Sequence, residues 1–201
     1  MAHPRSTTEQ EQSFAPAICN RLDRNTEGLV LAAKDAATLR ELNRLIRENR
    51  IQKTYLCVLT ATPPKQTDIL HAYHWKDGKT NTVTISDHPK AGYREIITEY
   101  RVLQQQNGLC LAEITLHTGR THQIRAHMAQ IGAPLAGDSK YGNRRKNESL
   151  HLKHQLLCAY QLQFHPEADS CLAYLNGKTV TAPLPDFVSR FFPTFSSKNR
   201  K

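Results

Sequence analysis

The chain of 201 residues carries a formal net charge of +9 at pH 7 and a pI near 9.5. That length supports one substantial core and falls short of two full domains. No apolar run reaches about 18 residues, which argues against a membrane span. The opening "MAHPRSTTEQEQS" lacks the apolar stretch of a signal peptide, so a cytoplasmic protein is expected.

Residues 1–17 read as a flexible N-terminal segment. Leu29 to Ala33 reads as a buried strand. Residues 35–49 predict a helix, with Leu39, Leu42, Leu45 and Ile46 on one face and arginines on the other. "KTYLCVLT", Lys53 to Thr60, alternates like a strand, and Pro63 and Pro64 end it. A weakly patterned stretch follows, in which "KDGKTNTVTIS" suggests a turn and an outer strand. "ITEYRVLQQQNGLCLAEITLHTG" predicts two long strands joined at Asn107-Gly108. "THQIRAHMAQIG" predicts a short helix with Ile124, Met128 and Ile131 on one face and Gly132 as the stop. Arg144, Arg145 and Lys146 fall in a polar loop. "HQLLCAYQLQFHP" reads as a strand, "CLAYLNGKTVTAP" as a second Asn-Gly hairpin and "LPDFVSRFF" as a closing helix. Residues 196–201 make a basic tail. The expected fold class is α+β, a central mixed, mostly antiparallel sheet with flanking helices, in a single domain over 18–195.

The basic balance points to a polyanionic partner, nucleic acid first. The five cysteines are odd in number, widely spread and without a C-x-x-C pair. That pattern suits free thiols better than a disulfide framework or a zinc site. Phosphate-cradling glycine loops of the G-x-x-x-x-G-K-[ST] or G-x-G-x-x-G kind are absent, which removes nucleotide hydrolysis and dinucleotide chemistry. His117, His122 and His127 recur every five residues, a spacing that does not place two ligands on one helical face, so no metal is expected. No serine sits in a G-x-S-x-G elbow. The cysteines lie in apolar runs, a poor setting for a thiolate nucleophile.

Two stretches remain. "RLDR" sets Asp23 between Arg21 and Arg24, and flanking guanidiniums favour a charged carboxylate, which a carboxylate nucleophile requires. On a strand, Arg21 and Asp23 would point the same way. "HTGRTHQIRAH" starts a helix near Thr121, with arginines before it and inside it, which suits an anion or an acidic side chain.

In order along the chain stand "NRLDRNTEGLVLAAK", "IQKTYLCVL", "LHTGRTHQIRAHMAQIGAPLAGDSKYG" and "HQLLCAYQLQFHP". Together they resemble the RluA-type family of pseudouridine synthases, especially its ribosomal large-subunit branch, from about Asn20 to Pro185. The resemblance implies a cofactor-free isomerase that converts uridine to pseudouridine in RNA, with ribosomal RNA favoured over transfer RNA. It implies that Asp23 is the catalytic aspartate and that Arg21 helps push the target base out of the helix. It further implies that Tyr55 contacts the flipped uracil and is the candidate to remove the carbon-bound proton. Arg125 matches the basic residue that pairs with the aspartate. Arg24, Lys53, Arg120, Thr121, His122 and Gln123 are expected on the RNA side of the site, with Arg144, Arg145 and Lys146 as further phosphate contacts. The alternative is a catalytically inactive RNA-binding protein on the same fold. Intact Asp23, Tyr55 and Arg125 favour the enzyme.

Departures from the pattern flank the aspartate: Asn20 stands where many relatives have His, and Glu27 where many have Ser. Relatives also place a strand with an Asp-Lys-Pro-x-Gly-like turn before the aspartate motif. Only a short polar segment with Pro4 and Pro16 precedes it here. The expectation is a chain shortened at its N-terminus. It would be a monomer with some tendency to associate through an uncovered sheet edge.

Overall fold

The computed structural model describes residues 14–196. Most of the expected N-terminal segment and nearly all of the basic tail lie outside the described residues. In chain order come β1 (Ala17–Ile18), β2 (Glu27–Gly28), β3 (Ala32–Ala33), α1 (Ala36–Arg47), β4 (Ile51–Leu59), β5 (Thr67–Lys76), β6 (Val83–Ser86), β7 (Arg94–Gln106) and β8 (Leu109–Leu116). Then follow α2 (Gln123–Gln130), α3 (Arg144–Ser149), β9 (Leu157–Phe164), a 3-10 turn (Ala173–Leu175), β10 (Thr179–Thr181) and α4 (Asp186–Phe191).

The main sheet runs β10-β9-β4-β8-β7-β5-β6. Its ladders are antiparallel except where β2 joins β9 in parallel. The mixed, mostly antiparallel sheet with flanking helices is therefore the architecture. Asn107 and Gly108 both take positive φ, 51° and 72°. They join Gln106 to Leu109 in a two-residue hairpin, as the Asn-Gly signal requires.

Strand alternation sorts the side chains onto two faces. On one face of β4 lie Ile51, Lys53, Tyr55 and Cys57. Helix α1 covers one end of that face: its buried Leu42 and Leu45 cluster with Ile51, Leu162 and Phe164. Asp35 caps α1, accepting from the Thr38 amide at 2.7 Å. Helix α2 covers the other end, where Ile124 and Met128 cluster with Cys57, Tyr100 and Ile114. Between the two helices the face is left open. On the opposite face, Phe187, Val188 and Phe192 in and after α4 cover Leu56, Val58 and Leu111.

Several local expectations change. Leu29 to Ala33 is not one buried strand: only its end pairs, in the short β1–β3 ladder, and Val30 is exposed. Ala17, at the end of the expected N-terminal segment, pairs with Ala33 in β1. The ten-residue β5 runs through the stretch with the weakest sequence pattern. Its burial alternates, but its polar and histidine-rich composition hides the period. Arg144, Arg145 and Lys146 form the first turn of α3, capped by Asn143, rather than a loop. The second Asn-Gly pair does not close a hairpin on itself. The preceding "AYL" coils into the 3-10 turn, and β10 pairs with β9 instead, where Val180 meets Leu162.

Gly28 is sterically demanded. It has φ +109°, and a Cβ there would stand 2.2 Å from the Ala159 carbonyl oxygen. Gly28→Ala should therefore cost at least about 2 kcal/mol, through strain and loss of the β2–β9 contact. A urea unfolding midpoint indistinguishable from wild type would refute this.

Candidate active site

The open part of the sheet face holds a cleft of about 190 Å³. Three walls meet there. The loop before β2 supplies Asn20, Arg21 and Asp23; β4 supplies Lys53 and Tyr55; and the turn into α2 supplies Gly119 to Ile124.

The aspartate loop is a tight turn pinned at both ends. The Thr26 amide donates to the Asp23 carbonyl at 3.0 Å, and Asn25 takes φ 67°. The Gln155 amide nitrogen donates to the Arg24 carbonyl at 2.6 Å. On one side, Cys19 N donates to Leu31 O, and Leu31 N donates to the Asn20 side chain. On the other, β2 locks onto β9 with Gly28 beside Ala159. Arg21 and Asp23 lie in this loop, not on a strand, so the same-face argument does not apply.

Tyr55 sits opposite that same Ala159, next to a bulge where β9 carries one extra residue against β4. Its phenol is pushed up to about 12, by burial first and then by the negative charge of Asp23. It is therefore a protonated phenol at neutral pH.

Arg125 projects from α2 beneath the cleft. Its Nε and Nη2 donate to the two oxygens of Asp138 at 2.7 and 2.9 Å, a bidentate pair buried on both sides. Its remaining Nη1 lies 3.6 Å from Asp23 Oδ2. Burial opposes the Arg125 charge, but the hydrogen bonds to Asp138 and the charges of Asp138 and Asp23 outweigh it and raise its pKa. Burial likewise opposes the Asp138 charge. Arg125 and the amides of Tyr141 and Lys140 still hold that carboxyl below its ordinary value. The Tyr141 ring stacks 5.4 Å from the guanidinium. Its hydroxyl accepts from Val83 N at 2.9 Å and shares a hydrogen bond of 2.9 Å with His122 Nδ1. His122 itself takes φ 52° at the head of α2. Burial lowers its pKa, with Asp23 acting in the other direction.

The expected site residues divide by what their side chains do. Asp23, Tyr55, Arg21, Lys53, Arg120, Thr121, His122 and Gln123 line one cleft. Arg24 does not line it; its contribution is the carbonyl held by Gln155. The Gln123 side chain accepts from Thr118 Oγ1 and Arg120 N, and donates to Ile97 O and Thr98 Oγ1, so it braces the turn from inside. Among the described residues the ion-pair partner of Asp23 is Arg125, not its sequence neighbours Arg21 and Arg24. The three evenly spaced histidines diverge: His117 reaches Glu99, His122 reaches Tyr141 and His127 reaches Thr98.

Sequence reasoning missed Asp138 and Tyr141. The available signal was an acid between glycines in "GDSKYG". Gly137 has φ +79°, and a Cβ there would meet His154 O at 1.8 Å; a Cβ on Gly142 would meet Asp138 O at 2.2 Å. The glycines let the loop fold tightly enough to bury a carboxylate against α2. Asn147 ties it down, accepting from Gly137 N and donating to Asp138 O.

Residues 3–130 match the family model described as RNA pseudouridylate synthase. An RNA pseudouridine synthase of Chloroflexus aurantiacus is 35% identical over 171 residues, 85% of this chain and 50% of that protein. The ribosomal large subunit pseudouridine synthase D of Nitrosomonas europaea is 32% identical, over 84% of this chain and 48% of its own. The C enzyme of Rickettsia conorii is 36% identical, over 63% and 42%. The chain thus spans about half the length of the curated relatives it matches. The solved structure of human RNA pseudouridylate synthase domain containing 4 shares the fold, with a TM-score of 0.69 at 20% identity, over 88% of this chain and 74% of that one.

Asp138→Asn removes the charge that compensates a buried guanidinium while keeping the side-chain shape. Breaking one partner of such a pair should destabilise the fold by roughly 3 kcal/mol. Chemical denaturation measures it. A loss below about 1 kcal/mol, the size of an exposed pair, would show that Arg125 is not anchored as described.

Proposed function

The chain belongs to the RNA pseudouridylate synthase family, and we propose that it isomerises specific uridines to pseudouridine in RNA. Large-subunit ribosomal RNA is the substrate class we assign, supported by the relatives named for that subunit. The observation that carries the reading is one cleft in which Asp23, backed by Arg125, faces Tyr55 under a rim of cations.

In the reaction the uracil N1–C1′ bond breaks and a C5–C1′ bond forms. One proton leaves C5, and N1 gains one. Asp23 is the nucleophile. The Arg125 guanidinium offsets its charge and directs the carboxylate, at no cost of reorganisation during the reaction. Three routes are compatible with this placement: attack on C1′ or addition to the ring, in which Asp23 is the nucleophile, and a glycal, in which it would act as the base. Tyr55 offers a ring face for the flipped base. Its raised pKa opposes a resting phenolate, so it handles the C5 proton only through a hydroxyl that passes its own proton on. Arg21 takes the space the base vacates. Lys53 and Arg120 meet phosphate, Thr121 and His122 form the wall against which the nucleotide sits, and Arg24 stands outside the cleft as a phosphate contact. Gln123 supports this wall rather than touching substrate. Burial lowers the pKa of Lys53, which is the expected state of an ammonium awaiting an anion. The catalytic unit is the single domain over 18–195, acting in the cytoplasm as a monomer.

Asp23→Asn should lower turnover by on the order of 10⁴-fold or more, with fold and RNA affinity nearly unchanged. Pseudouridine mapping on RNA treated with each protein reads it; conversion at a comparable rate would remove the nucleophile assignment. RNA affinity should fall steeply with salt, and Arg120→Gln should reduce the log–log slope by about one. A flat salt dependence would count against an RNA substrate.

A further inference from the structure

Away from the cleft, Trp75 and Tyr93 form an aromatic pair near the β6 edge of the sheet. The β5–β7 register sets His74 against Arg94, which brings Trp75 across from Tyr93. Their ring centroids are 6.3 Å apart and their planes 22° from parallel. Lys90 Nζ lies 5.7 Å from the Tyr93 centroid. Tyr93 occupies one side of the indole, yet Trp75 remains 41% exposed.

The surroundings are cationic. Lys76, Lys79, Lys90 and Arg94 are exposed, and none makes an ion pair among the described residues. The neighbouring acids are turned to other work. Asp77 accepts from Lys79 N and Thr80 Oγ1 within its own turn, and Glu95 lies 3.9 Å from His71. Alternation puts Lys76 and Arg94 on the His74 face, whereas Lys90 lies over Tyr93 on the Trp75 side. A propped, water-exposed indole beside Lys90, with further exposed cations on the same two strands, fits a flat ring tethered to phosphate.

We propose that Trp75, propped by Tyr93 and flanked by Lys90, is a stacking platform for an unpaired nucleobase of the bound RNA. This rests on the RNA reading above. The base covers the open side of the indole while its phosphates meet the cations. Stacking of this kind tolerates any base, so the platform adds grip and leaves the choice of uridine to the cleft. Its position suits that task. His74, the residue before Trp75, donates from Nε2 to the Thr121 carbonyl in the cleft wall at 2.9 Å. Alternation turns Trp75 to the other face. A strand leaving the cleft reaches the platform by passing round the β6 edge.

The chain contains a single tryptophan, so its emission reports on this position alone. The probe is poly(U), whose bases are free to stack, with binding followed in parallel by anisotropy of a labelled sample. Binding should quench the Trp75 emission and shield it from acrylamide. Trp75→Ala should weaken affinity about ten-fold, with Trp75→Phe retaining most of it and turnover at saturating RNA unchanged. If poly(U) binds but emission and the Trp75→Ala affinity do not change, the platform is overturned and the RNA reading stands. A lowered melting temperature in that variant would then mark the pair as a cross-strand clamp only. If neither poly(U) nor protein-free ribosomal RNA binds, the RNA reading falls and the platform with it.

Discussion

Arg125 paired with Asp138 is the interaction on which the site depends. Both groups are buried, and burial alone would drive each toward neutrality. The bidentate geometry and the added amide donors keep the pair charged. A buried pair of this kind contributes little net stability against an apolar replacement, but it is costly to break. What it supplies here is direction. With two of its donors committed to Asp138, the guanidinium cannot swing away, and the third points at Asp23. Tyr141 completes the cage, stacking on the guanidinium while its hydroxyl joins β6 to His122.

A second constraint brings Asp23 to that guanidinium. Ala159 on β9 is both the partner of Gly28 and the cross-strand neighbour of Tyr55. One backbone position thus sets the aspartate loop and the tyrosine in a common frame. The close approach that Gly28 allows and the adjacent bulge are local irregularities in an otherwise regular sheet. Both occur where the Asp23 loop and Tyr55 converge. The turn into α2 is built in the same spirit: Gln123 spends its polar atoms inside, leaving Arg120, Thr121 and His122 on the cleft wall.

These constraints explain why the acid and its cation come from distant parts of the chain. Arg21 and Arg24 are close to Asp23 in sequence, yet among the described residues neither pairs with it: Arg21 lines the cleft and Arg24 stands outside it. Neighbours along a tight turn diverge, whereas a residue from a packed helix can be aimed and held. Lys53 faces the same space from β4, so positive charge reaches the cleft from three separate elements.

The amino-acid sequence by itself determined the sheet class, helix α1, the Asn107-Gly108 hairpin and helix α2, because each rests on local periodicity or turn chemistry. It also singled out Asp23, Tyr55 and Arg125, through ordered motifs rather than through any contact between them. It did not show β5, whose polar alternation is drowned by histidines, nor that "CLAYLNG" would coil and hand its hairpin partner to β9. Those outcomes rest on pairing with strands distant in the chain, β5 with β7 and β10 with β9. Nor did it show that Asp138 is the main partner of Arg125 and that Gly28 must lie against Ala159. Only the tertiary structure decided these. Burial, bidentate geometry and steric closeness arise between segments far apart in the chain, and no local pattern encodes them.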